Sequence, residues 1–93
     1  MADGTRETMR MTSESVWRQE GESLVRDYEF TDFVGAMAFV NRVADVAEQH
    51  NHHPDILVHG WNNVRLTLTT HSAGGLTEND HEMARRIDAL GDG

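Results

Sequence analysis

The apolar residues of this chain are spaced two apart in some stretches and about 3.6 apart in others. A chain patterned that way folds into strands and helices together, not into either alone. From Leu24 to Phe30, Leu24, Tyr28 and Phe30 share one face with Arg26, while Val25, Asp27 and Glu29 take the other. Val64, Leu66 and Leu68 likewise alternate with Arg65, Thr67, Thr69 and His71. Between these stretches, Phe33, Met37, Val40, Ala44 and Ala47 recur at three- and four-residue steps, with Ala36 and Val43 beside them. That spacing predicts a helix near Asp32–Asn51 with one apolar stripe. Thr31 or Asp32 caps it, and Pro54 stops it, because proline disfavours helix at the residue before it.

A second helix is expected near Thr77–Leu90, with Met83, Ala84, Ile87 and Leu90 on its apolar side and Thr77 and Asp80 spaced like a capping box. Val16–Glu20 and Asp55–His59 read as short strands, and the Gly21 and Gly60 turns supply two hairpins. The expected fold is α+β: one four-stranded antiparallel sheet with two or three helices packed on one face. Residues 1–15 read as a polar N-terminal tail or a poor helix, and residues 16–93 as the domain. A chain of 93 residues buries only roughly 60–65% of its unfolded surface, so self-association would help it.

Composition removes several functions. There is no cysteine, hence no disulfide, thiolate nucleophile or zinc–sulfur site. Every basic residue is arginine, so a P-loop or Schiff-base lysine is excluded. Eight basic against sixteen acidic residues give a net charge of −8, which repels phosphate backbones and argues against nucleic acid as a partner. No run approaches the ~20 apolar residues of a membrane span, and the first ten residues lack the apolar core of a secretory signal. A cytoplasmic location is expected.

Histidine is the unusual component. Of six in the chain, His50, His52, His53 and His59 surround the single proline, and His71 follows the clearest strand. Imidazole titrates nearest neutrality, so several around one pocket hold a proton donor and a proton acceptor together. His50, His52, His53 and His71 can also be read as nitrogen ligands of a metal, with Asp55 or Asp80 completing the shell, although no fixed ligand spacing is visible. The third reading is structural. His50 ends a helix, where an imidazolium suits the negative end of the dipole, and His59 and His81 sit on solvated surface. Asp80 has a structural role available too, as an acid in the first turn of a helix.

The segment Glu48-Gln49-His50-Asn51-His52-His53-Pro54, followed by Trp61, His71 and Asp80, resembles the signature of the pterin-4a-carbinolamine dehydratases. Thr69-Thr70-His71 and Gly74-Gly75-Leu76-Thr77 are similar to family members as well. The gap from Pro54 to Trp61 is one residue longer than in many members, with Gly60 as the insertion. The resemblance implies a dehydratase that converts 4a-hydroxytetrahydropterin to quinonoid dihydropterin in tetrahydrobiopterin recycling. It implies His52, His53, His71 and Asp80 as catalytic residues, and Glu48, Pro54, Trp61 and Thr70 as substrate-binding ones. It also implies a homodimer or homotetramer, with no metal and no cofactor. The alternative it carries is a catalytically weak member acting as a protein-binding or dimerisation module.

Overall fold

The computed structural model describes residues 17–91. Its elements are β1 (Arg18–Glu20), β2 (Ser23–Glu29), α1 (Phe33–His50), β3 (Asp55–His59), β4 (Asn63–Leu68) and α2 (Glu78–Asp88), with a short 3₁₀ turn at His71–Ala73. The strands form one antiparallel sheet in the order β1-β2-β4-β3, so the α+β expectation holds. The N-terminal tail or helix of residues 1–15, and Val16, lie outside the described residues.

Both helices cover the same face. Leu24 and Tyr28 of β2 and Val64, Leu66 and Leu68 of β4 meet Ala36, Phe39, Val43 and Ala47 of α1 and Met83, Ala84 and Ile87 of α2. Burying a side chain such as Phe39 contributes about 1.5–3 kcal/mol. The opposite face carries a charged cross-strand cluster, in which Arg65 donates to Asp27 at 2.7 and 3.2 Å and Arg18 donates to it at 2.9 Å.

The buried stripe of α1 differs from the one expected. It runs Ala36, Phe39, Val43, Ala47, whereas Phe33 is half exposed and Ala44 is exposed. Two stripes offset around a helix share one period, so period alone does not choose between them. Phe39 chooses here: its ring lies 4.5 Å from that of Tyr28 and 5.2 Å from that of Phe30, and this aromatic cluster fixes the rotation of the helix. Asp32 caps α1 by accepting from the Gly35 amide at 2.7 Å. Asn51 closes the other end in the left-handed region at φ 52°, which asparagine tolerates better than most residues.

The alternation read from Val64 to His71 continues past the strand, which stops at Leu68. Beyond it, Thr70 exchanges backbone hydrogen bonds with Gly75, and the chain curls through the 3₁₀ turn into α2. No helix among the described residues is long and apolar enough to cross a membrane.

Candidate active site

Strand register gathers the histidine segment and the β4 exit at one end of the sheet. Asp55, the first residue of β3, pairs with Thr67 of β4. The residues before Asp55 therefore run alongside those after Thr67, which puts His52 within reach of the Thr70–Asp80 segment. Asp88, at the far end of α2, accepts from Trp17 at 2.8 Å and from Arg26 at 2.6 Å. Those bonds fix α2 against the sheet and so hold its first turn in place.

Asp80 is fully buried and every polar contact around it is filled. One carboxylate oxygen lies 2.6 Å from His52 Nε2. The other accepts from the Thr70 hydroxyl at 2.8 Å and from the Thr77 amide at 2.9 Å. The Thr70 and Thr77 hydroxyls are 2.9 Å apart. Burial alone pushes the Asp80 carboxyl upward. The bonds from His52, Thr77 and Thr70, with the His52 charge, outweigh it and hold the group below the ordinary carboxylate range.

An ionised carboxylate accepts only, and this fixes the direction of each bond around it. His52 Nε2 carries the hydrogen given to Asp80, so the lone pair of a neutral His52 sits on Nδ1. Thr70 has one hydroxyl proton, and it goes to Asp80. Thr77 must then donate to the Thr70 oxygen.

His53 has a carboxylate partner as well, with Nε2 2.6 Å from Glu48, but both side chains are more than half exposed. His71 is exposed on the 3₁₀ turn, one residue after Thr70. Pro54 is half-buried where the segment enters β3. Trp61 sits at the other end of the β3–β4 hairpin, a five-residue strand or roughly 16 Å away. It is exposed and holds φ 59°, unusual for a bulky side chain. Among the described residues, no three His, Cys, Asp or Glu side chains are grouped to hold a metal ion.

Comparison with known proteins identifies the group. The family profile described as Pterin 4 alpha carbinolamine dehydratase matches residues 3–90. This chain belongs to that family. A protein of Thermomicrobium roseum provisionally named pterin-4-alpha-carbinolamine dehydratase is 54% identical over 74 residues, covering 80% of this chain and 78% of that one. Its counterpart in Acidobacterium capsulatum is 52% identical over 81 residues, 87% of each chain. Among solved structures, a transcriptional coactivator/pterin dehydratase from Brucella melitensis superposes with a TM-score of 0.75 at 37% identity, over 82% of each chain. A pterin dehydratase-like protein described as a RuBisCO assembly factor in the alpha-carboxysome gives 0.68 at 29% identity, over 83% of this chain and 90% of that one.

Within this pterin-dehydratase fold, a cavity of about 250 Å³ opens between His50, Asn51 and His52 at the end of α1 and Asn79, Glu82, Met83 and Arg86 on α2. Of the residues expected from sequence, only His52 lines it. His50, read from sequence as a helix end or as a metal ligand, lines it while remaining exposed. The capping box expected from the spacing of Thr77 and Asp80 is present, whereas sequence reasoning missed the link between the Thr70 and Thr77 hydroxyls and the Asn79, Glu82, Met83, Arg86 stripe. The signal for the stripe was present in its spacing of three, one and three residues, which puts the four on one helix face.

Proposed function

We propose that this chain is a hydro-lyase that removes water from 4a-hydroxytetrahydropterin to give the quinonoid dihydropterin, in recycling of a tetrahydropterin such as tetrahydrobiopterin. The observation that carries the reading is the His52–Asp80 pair: a buried, ionised carboxylate that fixes which imidazole nitrogen keeps a lone pair. In the reaction the C4a–oxygen bond breaks and the hydroxyl leaves as water, taking up one proton. A ring N–H loses its proton as the C=N bond forms. His52 Nδ1 is the base for the ring proton in this proposal, and His53 or His71 supplies the proton to the leaving oxygen. Positioned groups of this kind each contribute about 10²- to 10⁴-fold. Asp80 keeps the base in one tautomer and opposes the charge it gains, which is the role of a carboxylate beside imidazole.

The test is direct. 4a-Hydroxytetrahydropterin is generated in situ by a hydroxylase reaction, and formation of the quinonoid product is followed with and without this protein. Acceleration over the spontaneous rate, unchanged after treatment with EDTA, is the expected result. A rate equal to the protein-free control would overturn the assignment and leave a non-catalytic module as the better reading.

Two further elements belong to this proposal. The cytoplasm is where the reaction is expected. A homodimer or homotetramer is favoured by β3, an edge strand whose Ile56 and Leu57 remain exposed, since unpaired edges invite pairing. Light scattering at micromolar concentration tests that, and a clean monomer would refute it.

A further inference from the structure

The loop that carries Thr70 and His71 meets the β1–β2 hairpin, which takes no part in the site described above. The backbone of Thr70 exchanges hydrogen bonds with Gly75 at 3.1 and 3.2 Å, and residues His71 to Gly74 between them are exposed. Gly75 is buried, and Glu22 lies across it. A Cβ at Gly75 would strike the Glu22 carboxylate and stand only 3.1 Å from Glu22 Cδ and 3.2 Å from its Cβ. The whole length of the side chain therefore covers the glycine, and only a residue without a Cβ admits it. The Glu22 carbonyl also accepts from the Thr69 hydroxyl at 2.8 Å. Gly21 and Glu22 form a two-residue turn between the paired Glu20 and Ser23, with Gly21 at φ 60°. Glycine first in such a turn matches the twist of the flanking strands, so Glu22 projects from a tightly defined tip.

We propose that Glu22 is a positioning residue for dehydration: by packing across Gly75 it holds the Thr70–Gly75 bridge, and with it the Thr70 hydroxyl on Asp80 and His71 on its turn. This role rests on the dehydratase reading and extends it to a residue outside the cavity. Without the cover, the bridge is two backbone hydrogen bonds beside an exposed turn, the kind of region that opens locally at low cost. Thr70 has one hydroxyl proton, and its direction toward Asp80 depends on where the bridge sets the Thr70 backbone. A group misplaced by about 1 Å can cost about 10²-fold in rate, and a loop that opens only part of the time costs less. The contact is made by the length of the Glu22 side chain, whose stem lies on backbone while its charged end meets water. Charge has little part in it, because Glu22 is exposed and exposed ion pairs contribute little.

Hydrogen exchange at the Gly75 amide, followed by NMR on the full chain, reads the bridge without any substrate. Glu22→Ala should speed that exchange about 10-fold. It should lower kcat for 4a-hydroxytetrahydropterin about 5- to 10-fold with KM within about twofold. The acid limb of the pH–rate profile should move upward, as it does when a donor to the Asp80 carboxylate weakens. Glu22→Gln keeps the length of the side chain and should match wild type within about twofold in exchange and turnover. Unchanged Gly75 exchange in Glu22→Ala overturns the inference whatever the activity. So does faster exchange with an unaltered kcat and pH profile, which would make Glu22 a packing residue only. A Glu22→Gln variant as impaired as Glu22→Ala overturns it too, by assigning the effect to charge. In each of these cases a wild type that turns over 4a-hydroxytetrahydropterin leaves the dehydratase reading standing. A wild type that does not dehydrate the substrate sinks that reading, and the positioning role with it.

Discussion

His52 and His53 are neighbours in the chain, and each places Nε2 2.6 Å from a carboxylate oxygen. Their surroundings differ. The partner of His52 is buried and takes two further hydrogen bonds. The partner of His53 is Glu48, three-quarters exposed, and His53 itself is half exposed. Exposed pairs of that kind are screened by salt and hold their geometry weakly. Equal distances thus give one imidazole with a fixed orientation and tautomer and one that stays free to turn. A fixed group suits proton abstraction from a positioned ring, whereas a mobile, solvated one suits delivery of a proton and its recovery from water.

Four experiments break or sharpen this contrast. The largest effect is expected at the histidines themselves. His52→Ala should lower single-turnover dehydration by about 10⁴-fold and His53→Ala by about 10²-fold, the two ends of the usual acid–base range. A reversal of that order would mean the buried pair is scaffolding. The carboxylates come next. Asp80→Asn should cost about 10²- to 10³-fold, because the amide can present a donor to His52 and so lose control of its tautomer. Glu48→Gln, measured in parallel, should change the rate by less than about threefold.

The third effect is smaller. Thr70→Val removes one of the two further donors to Asp80. Turnover should fall about 10-fold, the acid limb of the pH–rate profile should move upward, and Thr70→Ser should restore both. A Val variant with a normal profile would show that Thr70 only packs.

The smallest effect is on stability. Asp80 is held below its ordinary range when folded, so its stabilising contribution is complete above the unfolded value of about 3.9 and is lost as pH falls through the folded one. The melting temperatures of wild type and Asp80→Asn should differ by about 5 °C at pH 7. That gap should hold to about pH 5 and narrow below about pH 4. A gap that widens in acid would contradict the assignment of an ionised Asp80.

The contrast between the two histidines was not legible in the sequence, although much around them was. Asp55–His59 could be read as a strand between two breakers, and its observed bounds are the same. Asp32 marked the start of α1 because a cap acts locally, whereas its end is set by Asn51, ahead of the expected stop at Pro54. The choice of which histidine is buried depends on Asn51. Its left-handed turn redirects the chain by an amount that only the packing of α1 against α2 determines. Asp80 was read as a helix-start acid and, through the family resemblance, as a catalytic residue; one of its oxygens accepts from the Thr77 amide and the other lies against His52. The α2 stripe facing the cavity was hidden for a different reason. Polar residues on a helix look solvated until another element is placed opposite them.

The bonds that set the state of Asp80 have an unequal reach along the chain. Thr70 and Asp80 are ten residues apart, Thr77 and Asp80 three, and Thr70 and Thr77 seven. The backbone pair between Thr70 and Gly75 closes the same short loop. His52 alone comes from a distance, 28 residues away. Short loops close at lower entropic cost than long ones and therefore form earlier. On loop-closure entropy alone, the carboxylate is expected to acquire its two local donors before the α1 end docks. The histidine thus arrives at an acceptor whose second oxygen is already engaged, and its ring has one orientation left to take.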